Sequence, residues 1–483
     1  MKNANEIFGR FVLAAAALLL AGAAFGHNIT VSAVLLTGWD VGQKTVNVMC
    51  DLNWDSSWCD AVNRDAAWVF VKFRPEGSHE WQHASLSAVS GEHTPAADSV
   101  IGAVPGGTGV FVYRSGAYTG SVSYTSMKLR WNYGTNGYAF AKGARVEVSV
   151  HAIEMVYVPE GAFYLGSTGN EANRFYCPDG TVQTTNAYLV TSEAALEIGP
   201  GAGKLWGITG DATPARSTVG PEGYLPAAFP KGYQAFYCMK YELTQGQYTE
   251  FLNQLTGLQA TNRYPVVTAA QTNRLSVSGS YPSFSAAAPD RACNWLSWAD
   301  GCAYAAWAGL RPMTELEFEK ACRGPSQPVA NEYAWGSTAI KPQTGHAGVD
   351  GSGTETATAA SGVANCNYNN GIAGPVRAGI YATATSTREQ AGASYWGIME
   401  LTGNLYERCK TVGNDSGRVF IGDHGSGTLT AAGEAANATW VNGMGRRGGG
   451  FNSNTTVSDR YLASHADTSR YFPFGFRGVH TAP

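Results

Sequence analysis

His79-Glu80-Trp81-Gln82-His83 has the H-E-x-x-H spacing with which two histidines on one helix face hold zinc while the glutamate acts as base. That chemistry needs a helix. Here the motif follows the turn Pro75-Glu76-Gly77-Ser78 and leads into Ala84-Ser85-Leu86-Ser87, inside strand-patterned sequence. In a strand the two histidines stand roughly 13 Å apart, too far for one ion. The motif therefore reads as the polar face of a strand. Asn404-Leu405-Tyr406-Glu407 offers hard oxygen donors: an amide, backbone carbonyls such as that of Leu405, and a carboxylate. Such a set suits Ca2+. No Ser-His-Asp order, nucleophile elbow or phosphate-binding P-loop occurs, and Gly448-Gly449-Gly450 reads as a turn or close-packing device. Of the nine cysteines, Cys50 and Cys59 flank a Trp/Asp/Ser turn and are candidates for a local disulfide. The odd count leaves at least one thiol unpaired. No CxxC occurs, which removes zinc-ribbon and thioredoxin-type readings.

These residues need elements to position them. The chain has 483 residues, 44% hydrophobic and 14% charged, enough apolar material for a large core. A net charge of −4 and the lack of a Lys/Arg stripe exclude nucleic acid and anionic membrane as expected partners. Lys2 and Arg10 precede the apolar run Phe11 to Ala24, and the small residues Ala24 and Gly26 suit cleavage before His27. Residues 1–26 therefore read as a signal peptide too short to span a membrane. The mature protein is expected to be secreted, periplasmic or at the cell surface. Residues 27–152 alternate as strands, as in Trp68-Val69-Phe70-Val71-Lys72-Phe73 and Arg145-Val146-Glu147-Val148-Ser149-Val150, with turn residues between them. That pattern predicts an all-β sandwich. Further on, Thr244 with Gln247 and Thr314 with Glu317 have capping-box spacing, and Trp295 to Trp307 reads as an amphipathic helix.

The C-terminal stretch reads Arg446-Arg447-Gly448-Gly449-Gly450-Phe451-Asn452-Ser453, then Val457-Ser458-Asp459-Arg460-Tyr461, then Gly475-Phe476-Arg477-Gly478. It resembles the closing signature of the formylglycine-generating enzyme (sulfatase-modifying factor) family. Met155 to Gly166, Tyr237 to Tyr248, Arg311 to Glu319 and Tyr395 to Glu407 resemble four further motifs of that family, in its order. The resemblance spans about 154–483 and implies a C-type-lectin-like α+β domain. It also implies calcium at Asn404 and Glu407, and at Asn365 for a second ion. The family's two copper-binding cysteines fall on Ser453 and Ser458. A hydroxyl is a poor ligand for Cu(I), so no copper is expected.

Lys, Glu, Gln, Met and Trp are absent from Gly445 to Pro483. They are the residues that an AAC codon cannot reach by changes in its first two bases. This bias resembles the variable region of proteins diversified by retroelements, which use the same fold. The variable, ligand-contacting positions are expected to be Phe451, Asn452, Ser453, Asn454, Tyr461, Ser464, His465, Asp467, Thr468, Ser469, Tyr471, Phe472, Pro473 and Phe474. Arg447-Gly448-Gly449, Val457 to Arg460 and Gly475 to Gly478 would be the fixed frame. Rigid aromatics and small polar residues on such a frame suit recognition.

The expected architecture is thus α+β: an N-terminal all-β sandwich (27–152), then a formylglycine-generating-enzyme-like C-type-lectin domain (153–483) whose recognition segment is 446–483. The expected role is binding of an extracellular protein or glycan by a scaffold without catalytic residues, with Ca2+ as structural cofactor and no membrane span in the mature protein. The alternatives are an oxidoreductase or sulfatase-modifying enzyme of the same family, and a structural adhesin.

Overall fold

The computed structural model describes residues 29–179, 186–207, 222–268, 271–369 and 371–483, apart from the side chain of Asn454. The expected signal peptide lies outside the described residues.

Strands β1 (Thr30–Asp40), β2 (Thr45–Cys59) and β7 (Tyr118–Trp131) form a three-stranded antiparallel sheet in the order β1-β2-β7. β3 (Asp65–Pro75) belongs to a second, eight-stranded sheet. Its partners are β4 (Gln82–His83), β5 (Ser99–Ala103), β6 (Val110–Arg114), β8 (Val146–Val158), β9 (Phe236–Met239), β10 (Arg311–Pro312) and β15 (Gly478–Thr481). The order is β10-β15-β9-β8-β3-β6-β5, with β4 paired to β3.

β3 is buried on both faces, and its alternation sorts the two cores. Ala67, Val69, Val71 and Phe73 pack with Val46, Val48, Leu52 and Leu129 between the sheets. Ala66, Trp68 and Phe70 point the other way, into a core with Tyr248, Ala303 and Trp307. Sandwich and C-terminal part therefore share a sheet. The domain boundary expected after residue 152 falls inside β8, whose register against β3 runs unbroken from Pro75↔Val146 to Asp65↔Val156.

The fold is α+β, mostly strand. Its main helices are α1 (Gln245–Asn253), α2 (Gly257–Arg263), α3 (Trp298–Ala308) and α4 (Glu315–Arg323). α1 and α4 begin at the capping boxes read from the sequence. α3 departs from expectation. Ser297 caps it in a box with Asp300, so it starts at Trp298, and it is buried nearly all round instead of amphipathic. No described helix is long and apolar enough to cross a membrane. Near the C-terminus, β11 (Glu407–Lys410) pairs with β12 (Met444–Arg447), and β13 (Gly449–Gly450) with β14 (Ser453–Asn454).

Two early candidates resolve here. His83 lies on β4, not a helix, and its Nε2 sits 2.7 Å from the Thr108 carbonyl oxygen, while His79 and Glu80 are exposed in the preceding loop. Cys50 and Cys59 both lie on β2, opposite Met127 and Tyr118. Nine residues of strand separate them by roughly 30 Å. A disulfide needs Cα atoms about 4.4–6.8 Å apart. All nine cysteines are free thiols.

Candidate functional site

Gly448 and Gly449 open the candidate site because the chain turns there with φ of +76° and +79°, a region costly for other residues. A Cβ on Gly448 would stand 2.6 Å from the Leu401 carbonyl oxygen. The turn leads into the β13–β14 hairpin, which sets Ser453 opposite Gly450. The Ser453 hydroxyl lies 2.6 Å from the Tyr406 hydroxyl.

Ser458 is fully buried and accepts a hydrogen bond from Arg323 Nη2 at 2.8 Å. Arg323 also pairs through Nε with Glu332 and donates through Nη1 to the Tyr164 carbonyl at 2.9 Å. Arg447 donates to Glu315 at 3.0 Å, to Glu319 at 2.5 Å and to the Val457 carbonyl at 2.7 Å. Arg460 grips Glu315 through Nε at 2.7 Å and Nη2 at 2.9 Å. Three arginines thus meet three glutamates in the interior, and α4 is clamped to the C-terminal loops. Burial alone would raise the Glu315 carboxyl, but Arg460 and Arg447 outweigh it and hold the group below its ordinary value.

Around this frame the nominated recognition residues divide. Tyr461, Thr468, Ser469 and Tyr471 are exposed, and Asn452, Ser453, His465, Asp467 and Phe472 are half-buried. Phe451, Ser464, Pro473 and Phe474 are buried, which corrects their expected place on an open face. Phe451 packs with Ala292, Leu405 and Phe472. The Phe474 ring lies between two guanidinium groups, 4.8 Å from Arg408 and 4.7 Å from Arg446. Burial, reinforced by the nearby charge of Arg446, pushes Arg408 down to about 10. Arg446 in turn contacts His465 Nδ1. Asp467 Oδ1 accepts from Ser469 N at 2.9 Å and Oγ at 2.6 Å, which fixes the loop locally. The side chain of Asn454 lies outside the described residues.

One aromatic of this face was missed in the sequence. Trp295 has φ of +59°, an outlier for a bulky residue. Its indole donates to the Thr272 carbonyl at 3.0 Å, and its ring meets those of Tyr471 and Phe472, both at 6.3 Å. Reading Trp295 as the first turn of α3 hid it. Only Ser297 with Asp300, a box that starts the helix three residues later, could have released it.

A family model described as the sulfatase-modifying factor enzyme 1-like domain matches residues 210–482. The chain belongs to this family. Comparison with curated proteins gives no match. The two positions that carry the copper cysteines in the sulfatase-modifying factor signature are the two serines described above. Their hydroxyls are hard donors already engaged by Tyr406 and Arg323, so they do not fit Cu(I).

The calcium expected from the family fares similarly. Asn404 Oδ1 accepts from Val376 N at 2.9 Å, and Asn404 Nδ2 donates to Glu242. Leu405 N donates to the other Glu242 oxygen at 2.9 Å. Glu407 Oε1 accepts from Arg477 Nε at 2.7 Å. Asn365 Oδ1 accepts from Lys341 N at 2.8 Å. The nominated side chains thus spend oxygens on protein donors. Among the described residues no three His, Cys, Asp or Glu converge as metal ligands. As placed, these residues do not fit a Ca2+ cage. Of these residues only Glu407 meets a cation, Arg477, which has further bonds to the Met239 and Met399 carbonyls, each at 2.8 Å.

Proposed function

We propose that this member of the sulfatase-modifying factor family is an exported binding protein. On this reading it keeps the family scaffold without its copper oxidation, and presents a C-type-lectin-like recognition face, diversified by a retroelement, to an extracellular protein or glycan. One observation carries the reading: Ser458 is bound into the buried arginine network, so a position that does chemistry in the family signature here supports the frame. The exposed side chains of Tyr461, Thr468, Ser469 and Tyr471 supply rigid aromatic area and adaptable hydrogen bonds on that frame.

The test has two arms. Incubation with copper, oxygen, a reductant and a cysteine-containing sulfatase peptide is expected to yield no aldehyde; turnover would overturn the reading. Screening glycan and extracellular-protein arrays with wild type and a Tyr461→Ser/Tyr471→Ser variant is expected to find ligands retained only by wild type. Equal binding by both would remove the face from the proposal.

A further inference from the structure

We propose that Lys240 and Asp65 become joined by an intramolecular amide bond, formed by the protein's own side chains, that staples the sandwich to the C-terminal part. Asp65 is the first residue of β3, Lys240 follows β9, and Glu154 lies on β8, the strand between them. Lys240 Nζ stands 3.0 Å from Glu154 Oε2 and 3.9 Å from Asp65 Oδ2. Asp65, Glu154 and Lys240 are only 1%, 4% and 4% exposed. The ammonium group lies near the rings of Trp58 and Tyr241, at 5.1 and 5.3 Å.

Two acids share one base in this dry site, so one acid must carry a proton for the cluster to be neutral. Burial raises the Asp65 carboxyl, and it pushes Glu154 up to about 8 even with Lys240 beside it. Burial alone would lower the Lys240 ammonium, but Glu154, Tyr241 and Asp65 outweigh it and hold the group above its ordinary value, so the amine is freed only by direct proton transfer to Glu154 at 3.0 Å. Asp65 is also set up as an electrophile. Its Oδ1 accepts from Ser57 Oγ at 2.8 Å and from Trp58 N at 3.2 Å, a pair of donors placed to hold an oxyanion. Oδ2 faces Lys240 and accepts from Trp54 Nε1 at 2.9 Å. Glu154 Oε1 is buried with no protein partner, as a proton carrier requires. A cavity of about 10 Å³ adjoins Glu154, room for about one water.

The chemistry balances without any oxidant or cofactor. Lys240 Nζ passes a proton to Glu154, and its lone pair attacks Cγ of protonated Asp65. The new N–C bond pushes the carbonyl electron pair onto Oδ1, where Ser57 and Trp58 stabilise it. Glu154 takes the second proton from nitrogen as it delivers the first to Oδ2. The pair on Oδ1 reforms the carbonyl, the Cγ–Oδ2 bond breaks, and one water leaves. Carboxylic acid and amine become amide plus water. Fixed placement in a water-excluded site replaces the activation such a condensation otherwise needs.

The experiment is a peptide map of the full-length protein by tandem mass spectrometry. Wild type is expected to give a branched peptide joining the segments around Asp65 and Lys240, lighter than their sum by one water. Recovery of both segments only as linear peptides would overturn the proposal. Lys240→Arg is expected to give no branch. Glu154→Gln keeps the side-chain shape, and is expected to fold by circular dichroism yet lose the branch. A branch at wild-type yield in Glu154→Gln would overturn the relay.

Discussion

Lys72 Nζ donates to the Trp307 carbonyl at 2.7 Å, so a lysine of β3 caps the last turn of α3. It also donates to the Gly427 carbonyl at 2.8 Å, and beside it Trp68 Nε1 donates to the Ala308 carbonyl at 2.8 Å. Helix ends leave carbonyls without helical partners, and these donors supply them. The helix therefore ends on groups supplied by the N-terminal sheet.

It follows that the sandwich and the C-terminal part unfold together. Tryptophan fluorescence and far-ultraviolet circular dichroism are expected to trace one coincident urea transition. Two separated midpoints would show that the sandwich holds its own core. Lys72→Ala leaves two buried carbonyls short of a donor, and is expected to lower stability by at least about 1–3 kcal/mol.

Local rules were legible in the sequence where local bonds decide. Thr244 with Gln247 and Thr314 with Glu317 each complete a box within four residues, and both helices start there. Strand alternation also marked β3 and β8. What it could not mark was that β3 is covered on both faces, because its partners on the helix side arrive some 170 or more residues later, as with Tyr248 and Trp307. The same non-locality hid Phe451 and Phe474. As members of a turn-rich polar segment they read as exposed. Leu405 and Ala292, with Arg408 and Arg446, cover them from other parts of the chain.

Ser458→Ala is expected to cost about 1.5–3 kcal/mol, because it removes a hydrogen bond to a buried charged group. Ser453→Ala, at a half-buried hydroxyl bonded to another hydroxyl, is expected to cost only about 0.5–1.5 kcal/mol. Chemical denaturation of both variants checks the order. Equal losses would mean that Ser458 does not support Arg323.

The pH dependence has a definite sign. Burial pushes the Glu400 carboxyl from 4.5 up to about 7, partly offset by Arg477. Between those values the folded state holds more protons than the unfolded one, so this group's contribution to stability is lost as pH rises through the window. Glu315 acts oppositely. Its value is lowered, so its contribution is present above the ordinary carboxyl range and is lost on acidification. Melting temperatures from pH 5 to 8 are expected to fall less for Glu400→Gln than for wild type. An unchanged slope would exclude Glu400 as the source.

Because Arg477 already serves Glu407, calcium and chelator are expected to leave the melting temperature unchanged, and Glu407→Ala is expected to cost about 3–5 kcal/mol by stranding a buried arginine. A stabilisation by calcium that disappears in Glu407→Ala would restore the cation site.

The C-terminal face offers the sharpest contrast, because neighbours in sequence have opposite surroundings. Tyr461 and Tyr471 are 41% and 43% exposed, whereas Phe474 is fully buried between two arginines. Replacing Tyr461 by Ser removes little packed area, and is expected to change stability by about 0.5 kcal/mol or less. Tyr471→Ser also loses ring contacts with Trp295, Phe472 and Phe474, and is expected to cost about 0.5–1.5 kcal/mol. Phe474→Ala empties a closed site, leaves Arg408 and Arg446 facing each other without the ring, and is expected to cost about 3–5 kcal/mol. A recognition surface that varies in sequence requires this division. Substitution is tolerated where side chains meet solvent, and is resisted where the loop is pinned to the frame. If the tyrosine variants unfold as readily as Phe474→Ala, the exposed rings are part of the core, and the face cannot vary without losing the fold.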